Sequence, residues 1–308
     1  MKSPESHGWV TIVVSAVLAL AGCQSRPPVA SPCLRRLVEK SQGPDMAISP
    51  DGKWAVLWRT DYRGLIQSHT EMAVVDTQTG RTQVTRGLAD NLLWYRDALY
   101  MRDGDSILAW NPDKGTVRTL SDCGCGFDIA PSGGVVLARE VEGRSTLEVA
   151  DGFGSPPYLV IPTERLRAPK WSPDGHYIAA QSISTVAVFD TMTGKRFDLD
   201  GNFAITHAPV WLSSTELLVG RFGSNRIERF DIASGTFSRF LDVPLDGLPP
   251  NERSVFGFDA SEDFSKLLIM TGAQDIYLVD VACVRATQSA AMEESISIVV
   301  QHVSAGVP

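Results

Sequence analysis

Chemistry in this 308-residue chain would have to come from a thin set of side chains. Arg59, Arg102, Arg139 and Arg221 recur at equivalent points of successive stretches, and Gln181 and Met270 take the two remaining points. A guanidinium fork donates paired hydrogen bonds to a carboxylate or phosphate, so a partial ring of arginines would receive anions. Tyr62 and Arg63 fall in Thr60 to Thr70 and Arg253 in Asp242 to Ser254, the two longest stretches without strand patterning, and they extend that candidate surface. The competing duty for these arginines is pairing with acidic neighbours such as Asp61, Asp103 or Glu140. His207 precedes an expected strand and is a candidate for lining a central channel, although a lone histidine is more often structural. Nucleophilic hydrolysis needs a serine or cysteine beside a base, often on a Gly-x-Ser-x-Gly elbow, and the sequence has no such elbow. His69, His176, His207 and His302 lack zinc-site spacing, and no acidic run has the alternating oxygen ligands of a calcium loop. No catalytic residue, metal ligand or cofactor is expected.

Composition narrows the class. Hydrophobic residues make up 44% and the net charge is −8, which suits a globular core and opposes sequence-independent nucleic-acid binding. Apart from Cys23, the cysteines are Cys33, Cys123, Cys125 and Cys283, an even number that allows three pairings. A Cys33–Cys283 bridge would join the two ends of the ordered region. Cys123 and Cys125 would then form a local bridge or a free pair.

The elements that must position these residues are short strands. Between Ala168 and Asp200, Ser172-Pro173-Asp174-Gly175 and Asp190-Thr191-Met192-Thr193-Gly194 punctuate four apolar runs. Proline presets the second turn position and glycine accepts the positive φ that closes it, so this unit is a four-stranded antiparallel meander. Partial copies begin at Met46, Leu93, Phe127, Pro209 and Phe258, at a period of about 36 to 48 residues. That is the period of a propeller blade, and strands such as Glu216 to Gly220 are apolar on both faces, as sheets covered on both sides require. The expectation is all-β: a six-bladed β-propeller over residues 44–290. Both regular turns of each blade fall on one face of the disc. The loops between second and third strands and between blades fall on the other, where the arginines lie.

The Ser-Pro-Asp-Gly and Asp-x-x-x-Gly turns resemble the TolB-like six-bladed propeller repeat, which also occurs in prolyl oligopeptidases. The resemblance covers about four-fifths of the chain and implies fold rather than function. TolB carries a further domain before its propeller, and oligopeptidases need a hydrolase domain for which this sequence has no room.

At the N-terminus, the apolar run Trp9 to Gly22 has signal-peptide length, and Leu20-Ala21-Gly22-Cys23 resembles a bacterial lipobox. Residues 1–22 are read as a lipoprotein signal peptide, with Cys23 the lipidated residue. Residues 23–43 form a Pro-rich tether and a short segment in which Leu34, Leu37 and Val38 suggest two helical turns. Gln24, rather than Asp, follows the cysteine, and in lipoproteins this implies the outer membrane. Residues 291–308 are a tail in which Ile296 to Val300 reads as a closing strand. The expected function is a non-catalytic, lipid-anchored platform for a protein or an anionic envelope polymer. The alternative is a lactonase-like small-molecule hydrolase with its site in the channel.

Overall fold

The computed structural model describes residues 31–289 apart from 40, 42–44, 64–65, 86–89, 112–113, 115, 122–124, 142, 165, 183–184, 200, 202 and 204–208. The first strand, β1 (Leu34–Val38), comes first in the chain and last in the ring. Blade 1 is β2 (Met46–Ile48), β3 (Trp54–Arg63), β4 (Ile66–Asp76) and β5 (Thr82–Thr85). Blade 2 is β6 (Asp90–Tyr95), β7 (Ala98–Asp103), β8 (Ser106–Asn111) and β9 (Thr116–Ser121). Blade 3 is β10 (Gly126–Ile129), β11 (Val135–Val141), β12 (Arg144–Ala150) and β13 (Leu159–Thr163). Blade 4 is β14 (Arg167–Trp171), β15 (Tyr177–Gln181), β16 (Val186–Asp190) and β17 (Arg196–Leu199). Blade 5 is β18 (Val210–Trp211), β19 (Glu216–Gly220), β20 (Arg226–Asp231) and β21 (Thr236–Asp242). Blade 6 is β22 (Val255–Ala260), β23 (Lys266–Thr271) and β24 (Ile276–Asp280), with β1 paired antiparallel on β24. The molecule is a six-bladed β-propeller.

The turns explain why each blade is a meander. In blade 4 the Ser172 hydroxyl accepts from Tyr177 N–H at 2.9 Å and donates to Asp174 at 2.6 Å, while Gly175 closes the turn at φ +75°. Blade 1 repeats this with Ser49, Asp51 and Trp54. In the second turn, Asp190 accepts the N–H groups of Met192 and Thr193, and Asp76 does the same for Gln78 and Thr79.

Six apolar clusters each bridge two neighbouring blades. One joins Met46, Leu57 and Val75 of blade 1 to Leu268, Met270 and Ile276 of blade 6, which closes the circle. Several second strands, β15, β19 and β23 among them, are buried on both faces. Packing against two neighbouring sheets, not a single core, therefore holds each blade.

The structure corrects three expectations. Leu34–Val38 is a strand and not two helical turns, because the free edge of β24 supplies a ladder that an isolated five-residue helix cannot match. The ring thus starts ahead of residue 44. After β24 the chain turns into a helix, α1 (281–289), inside the span read as all strand. Thr60 to Thr70 is not an irregular loop: β3 and β4 continue pairing through a bulge to Arg63↔Ile66. Cys33, just before β1, is disulfide-bonded to Cys283 in α1, with Cα atoms 5.4 Å apart. Cys125 is buried and is disulfide-bonded as well. No helix among the described residues is long and apolar enough to cross a membrane. The signal-peptide, Cys23 and Ile296 to Val300 readings lie outside the described residues.

Candidate functional site

The first strands of successive blades touch around the axis, and they carry a polar cluster there. A narrow cleft of ≈ 60 Å³ is lined by Asp45, Asn91, Lys170, Asp259 and the apolar groups of Phe127 and Phe258, among others. Its polar groups link blade to blade. Asp45 accepts the backbone N–H of Asn91 at 2.9 Å. The Asn91 amide in turn donates to the Phe127 carbonyl at 3.0 Å and accepts its N–H at 3.2 Å. Asp128 accepts the Trp171 N–H at 2.6 Å, and Asp259 accepts the Ile48 N–H at 2.9 Å. Gly126 stands where a Cβ would crowd the Asn91 side-chain oxygen at 3.3 Å.

Charge at the axis is unequal. Asp128 is buried and Asp259 half-buried; desolvation pushes each carboxyl upward, and both are opposed by the same cation, Lys170. Lys170 Nζ lies 3.7 Å from Asp128 and acts on Asp259 through space. Among the described residues, no group of three or more His, Cys, Asp or Glu side chains is placed to hold a metal ion. The cluster was not picked out in the sequence, yet a signal exists. Asp128, Lys170 and Asp259 each stand two residues before the first residue of their turn (Ala130, Ser172 and Ser261), where blade 1 has Ala47.

The other candidate is the face away from the regular turns. Arg139 and Arg221 occupy matching places, and each meets a glutamate on the third strand of its own blade. Arg221 Nε donates to Glu228 at 2.6 Å, and its guanidinium lies over Phe237 and Phe203. Arg139 Nε is 2.8 Å from Glu148, although its N–H is not aligned on that oxygen. Arg139 thus meets Glu148 and not its sequence neighbour Glu140, because successive side chains of a strand point to opposite faces while a cross-strand neighbour shares one. Arg102 lies on β7 with an interaction of its own. For Arg59, Tyr62 and Arg63 the structure gives backbone only, on the long β3–β4 hairpin. His207 lies outside the described residues. The arginines are thus spread over blades 1, 2, 3 and 5.

Arg253 is set in a firmer frame. Its Nε donates to the Leu248 carbonyl at 2.8 Å, and Val243, Leu245 and Leu248 of the same connection are buried. Glu252 accepts the Tyr277 hydroxyl at 3.1 Å. Burial, followed by that bond to a carboxylate, raises the Tyr277 pKa to about 12. A Cβ at Gly272 would stand 2.7 Å from the Asn251 carbonyl, so this connection is clamped to blade 6.

No family model matches the chain, and no curated protein matches it. Solved structures do. A chain of the "Crystal Structure of Mitotic Checkpoint Complex" superposes with a TM-score of 0.53 at 11% identity, over 82% of this chain and 94% of that one. A chain of "Kuenenia stuttgartiensis Hydrazine Synthase" does so at 0.50 and 15% identity, over 77% and 83%. At such identities the likeness is one of fold, and it agrees with the propeller. The TolB-like resemblance remains one of turn motifs.

Proposed function

We propose that this propeller is a non-catalytic binding platform, anchored through a lipid on Cys23 in a bacterial envelope. Its partner would be a protein or an anionic envelope polymer. The observation that carries this reading is how the axial polar groups are used. Asp45, Asp128 and Asp259 each accept a backbone N–H from a neighbouring blade, and Asp128 also faces Lys170. Polar groups spent on joining blades make a rigid frame, and rigid frames present binding residues on their loops. The lipobox-like Leu20 to Cys23 motif and Gln24 support the anchor and the outer-membrane address.

The test is affinity capture from detergent-solubilised envelope, comparing the unaltered chain with an Arg221→Ala, Arg253→Ala variant. A partner retained by the first and lost by the second is the expected result. Equal recovery by both would remove the arginine-bearing face from the account. In parallel, Cys23→Ser should move the protein from the membrane to the soluble fraction. The hydrolase reading draws on the same axial carboxylates. A stoichiometric divalent metal in the purified protein, lost on Asp259→Asn, would put it in place of the platform.

A further inference from the structure

The turn between third and fourth strands is not the same in every blade. Residues 77–81, 191–195 and 232–235 make it in blades 1, 4 and 5, whereas blade 3 spends residues 151–158 between β12 and β13. That longer loop is pinned to the disc. Phe153 packs on the apolar cluster between blades 2 and 3, its ring stacked on Tyr100 at 6.5 Å and edge-on to Phe127 at 5.8 Å. The Ser155 N–H donates to the Gly152 carbonyl at 3.1 Å, and the Tyr158 N–H donates to the Val149 carbonyl at 2.8 Å. Gly154, at φ +81°, supplies the left-handed residue this tight turn needs.

What these anchors hold up is apolar and uncovered. Pro156, Pro157 and Pro162 are exposed, and Tyr158 and Val160 are 63% and 49% exposed. Ile161 is buried in the cluster shared with blade 4, so its neighbours along β13, Val160 and Pro162, share the strand's other face. The ring of Pro156 fixes its φ near about −65°, and the following proline drives it out of the helical region, which leaves polyproline II geometry. From Asp151 to Glu164 the chain carries those two carboxylates and no Lys or Arg. Partial desolvation, then the Asp151 charge, raises the Tyr158 pKa. Cross-strand from Val160 stands Glu148, which is already paired with Arg139. An anionic polymer would meet carboxylates and rings along this segment, whereas an apolar protein surface would meet its own kind.

We propose that the 151–158 loop of blade 3 is a docking motif: a partner protein receives Pro156, Pro157 and Tyr158 in a groove lined by aromatic side chains, with Val160 at its edge. Proline rings present C–H faces that pack on aromatic rings, and a polyproline II backbone that is already ordered loses little entropy on binding. The inference rests on the binding-platform reading; it chooses a protein over an anionic polymer and puts the contact on the face of the regular turns, away from the arginines.

The test is light-induced cross-linking in the native cell, with a benzophenone side chain placed at Tyr158 of the full chain. Controls carry it at Met192, 82% exposed on the corresponding turn of blade 4, and at Phe222, 48% exposed just after β19 on the opposite face. The expected result is a discrete protein adduct at Tyr158 and none at Met192, the cross-linked partner peptide carrying two or more aromatic residues. The Pro156→Gly, Pro157→Gly double variant frees the loop without touching Phe153. It should cut the adduct by about tenfold or more and leave the melting temperature within about 5 °C. Val160→Glu, on the exposed face of an edge strand, gives the same reading if the proline variant fails to fold. An adduct to glycan, to lipid or to a second copy of this chain would overturn the motif, as would one equally strong at Met192 or one that survives these changes. No adduct at Tyr158 would overturn it too. A protein adduct confined to Phe222 would do so while leaving the platform reading intact on the opposite face.

Discussion

Ser172 is fully buried in a surface turn, and its hydroxyl does two jobs there, accepting the Tyr177 N–H and donating to Asp174. Ser172→Ala should therefore cost about 1–2 kcal/mol, read as a lower denaturant midpoint. Blade 3 already carries Ala130 at this place, so the variant should fold. In blade 6 the same turn has Phe264 at φ +55° where blades 1 and 4 have glycine, and its ring packs on the cluster beneath. Carboxylates divide into two groups with opposite pH behaviour. N–H bonds from Thr79, from Thr193 and from Ser234 hold Asp76, Asp190 and Asp231 respectively below the usual range. Their contribution is present above an unfolded pKa of about 3.9 and is lost as pH falls through the lower folded values. Asp128 and Asp259 run the other way, since burial raises them. Stability gained by protonating them appears as pH falls from neutral through the raised folded values, and is complete near about 3.9. The melting temperature should consequently rise from neutral to mildly acidic pH and fall again in stronger acid. Asp259→Asn keeps an oxygen for the Ile48 N–H and loses the charge, so it should raise the midpoint at pH 7 and flatten the first limb. A variant with an unchanged pH profile would show that this charge carries no penalty.

The elements differ in how far their sequence announces them. Ser-Pro-Asp-Gly and Asp-x-x-x-Gly mark hairpins through their own hydrogen bonds, so strands flanking them were legible from local chemistry alone. β1 was not, because Leu34, Leu37 and Val38 fit helical spacing and nothing local says otherwise. Its strand state comes from Leu34↔Val279 and its neighbours in the ladder, a partner some 240 residues away. The β3–β4 hairpin was misread for a related reason: Thr60 to Thr70 lacks strand patterning, and its strand state comes from the continuing β3–β4 ladder instead of from local composition. α1 was overlooked since its buried positions, Val281 and Val284, are too few to set a period. The Cys33–Cys283 bridge holds β1 and α1 together. The Cys33→Ser, Cys283→Ser double variant should lose about 2–5 kcal/mol. In amide exchange, Leu34–Val38 should then open before any other strand of blade 6.

At the scale of the whole molecule, the number of blades was legible because six copies of one turn pair recur, and six inter-blade clusters answer to them. The site was less so. The arginines share a position within their blades, but each is spread to a different sector of the disc. The axial charges share a position too, and they meet, because first strands converge where second strands diverge.

The disulfide also decides how the disc would respond to being pulled. Tension entering ahead of Cys33 passes through the sulfur atoms into α1 before it reaches the hydrogen bonds of β1. Stretched between its N-terminus and a handle in blade 3, the oxidised molecule should therefore resist until the packing of α1 yields. The reduced one should unzip one strand at a time from the rim, at lower force.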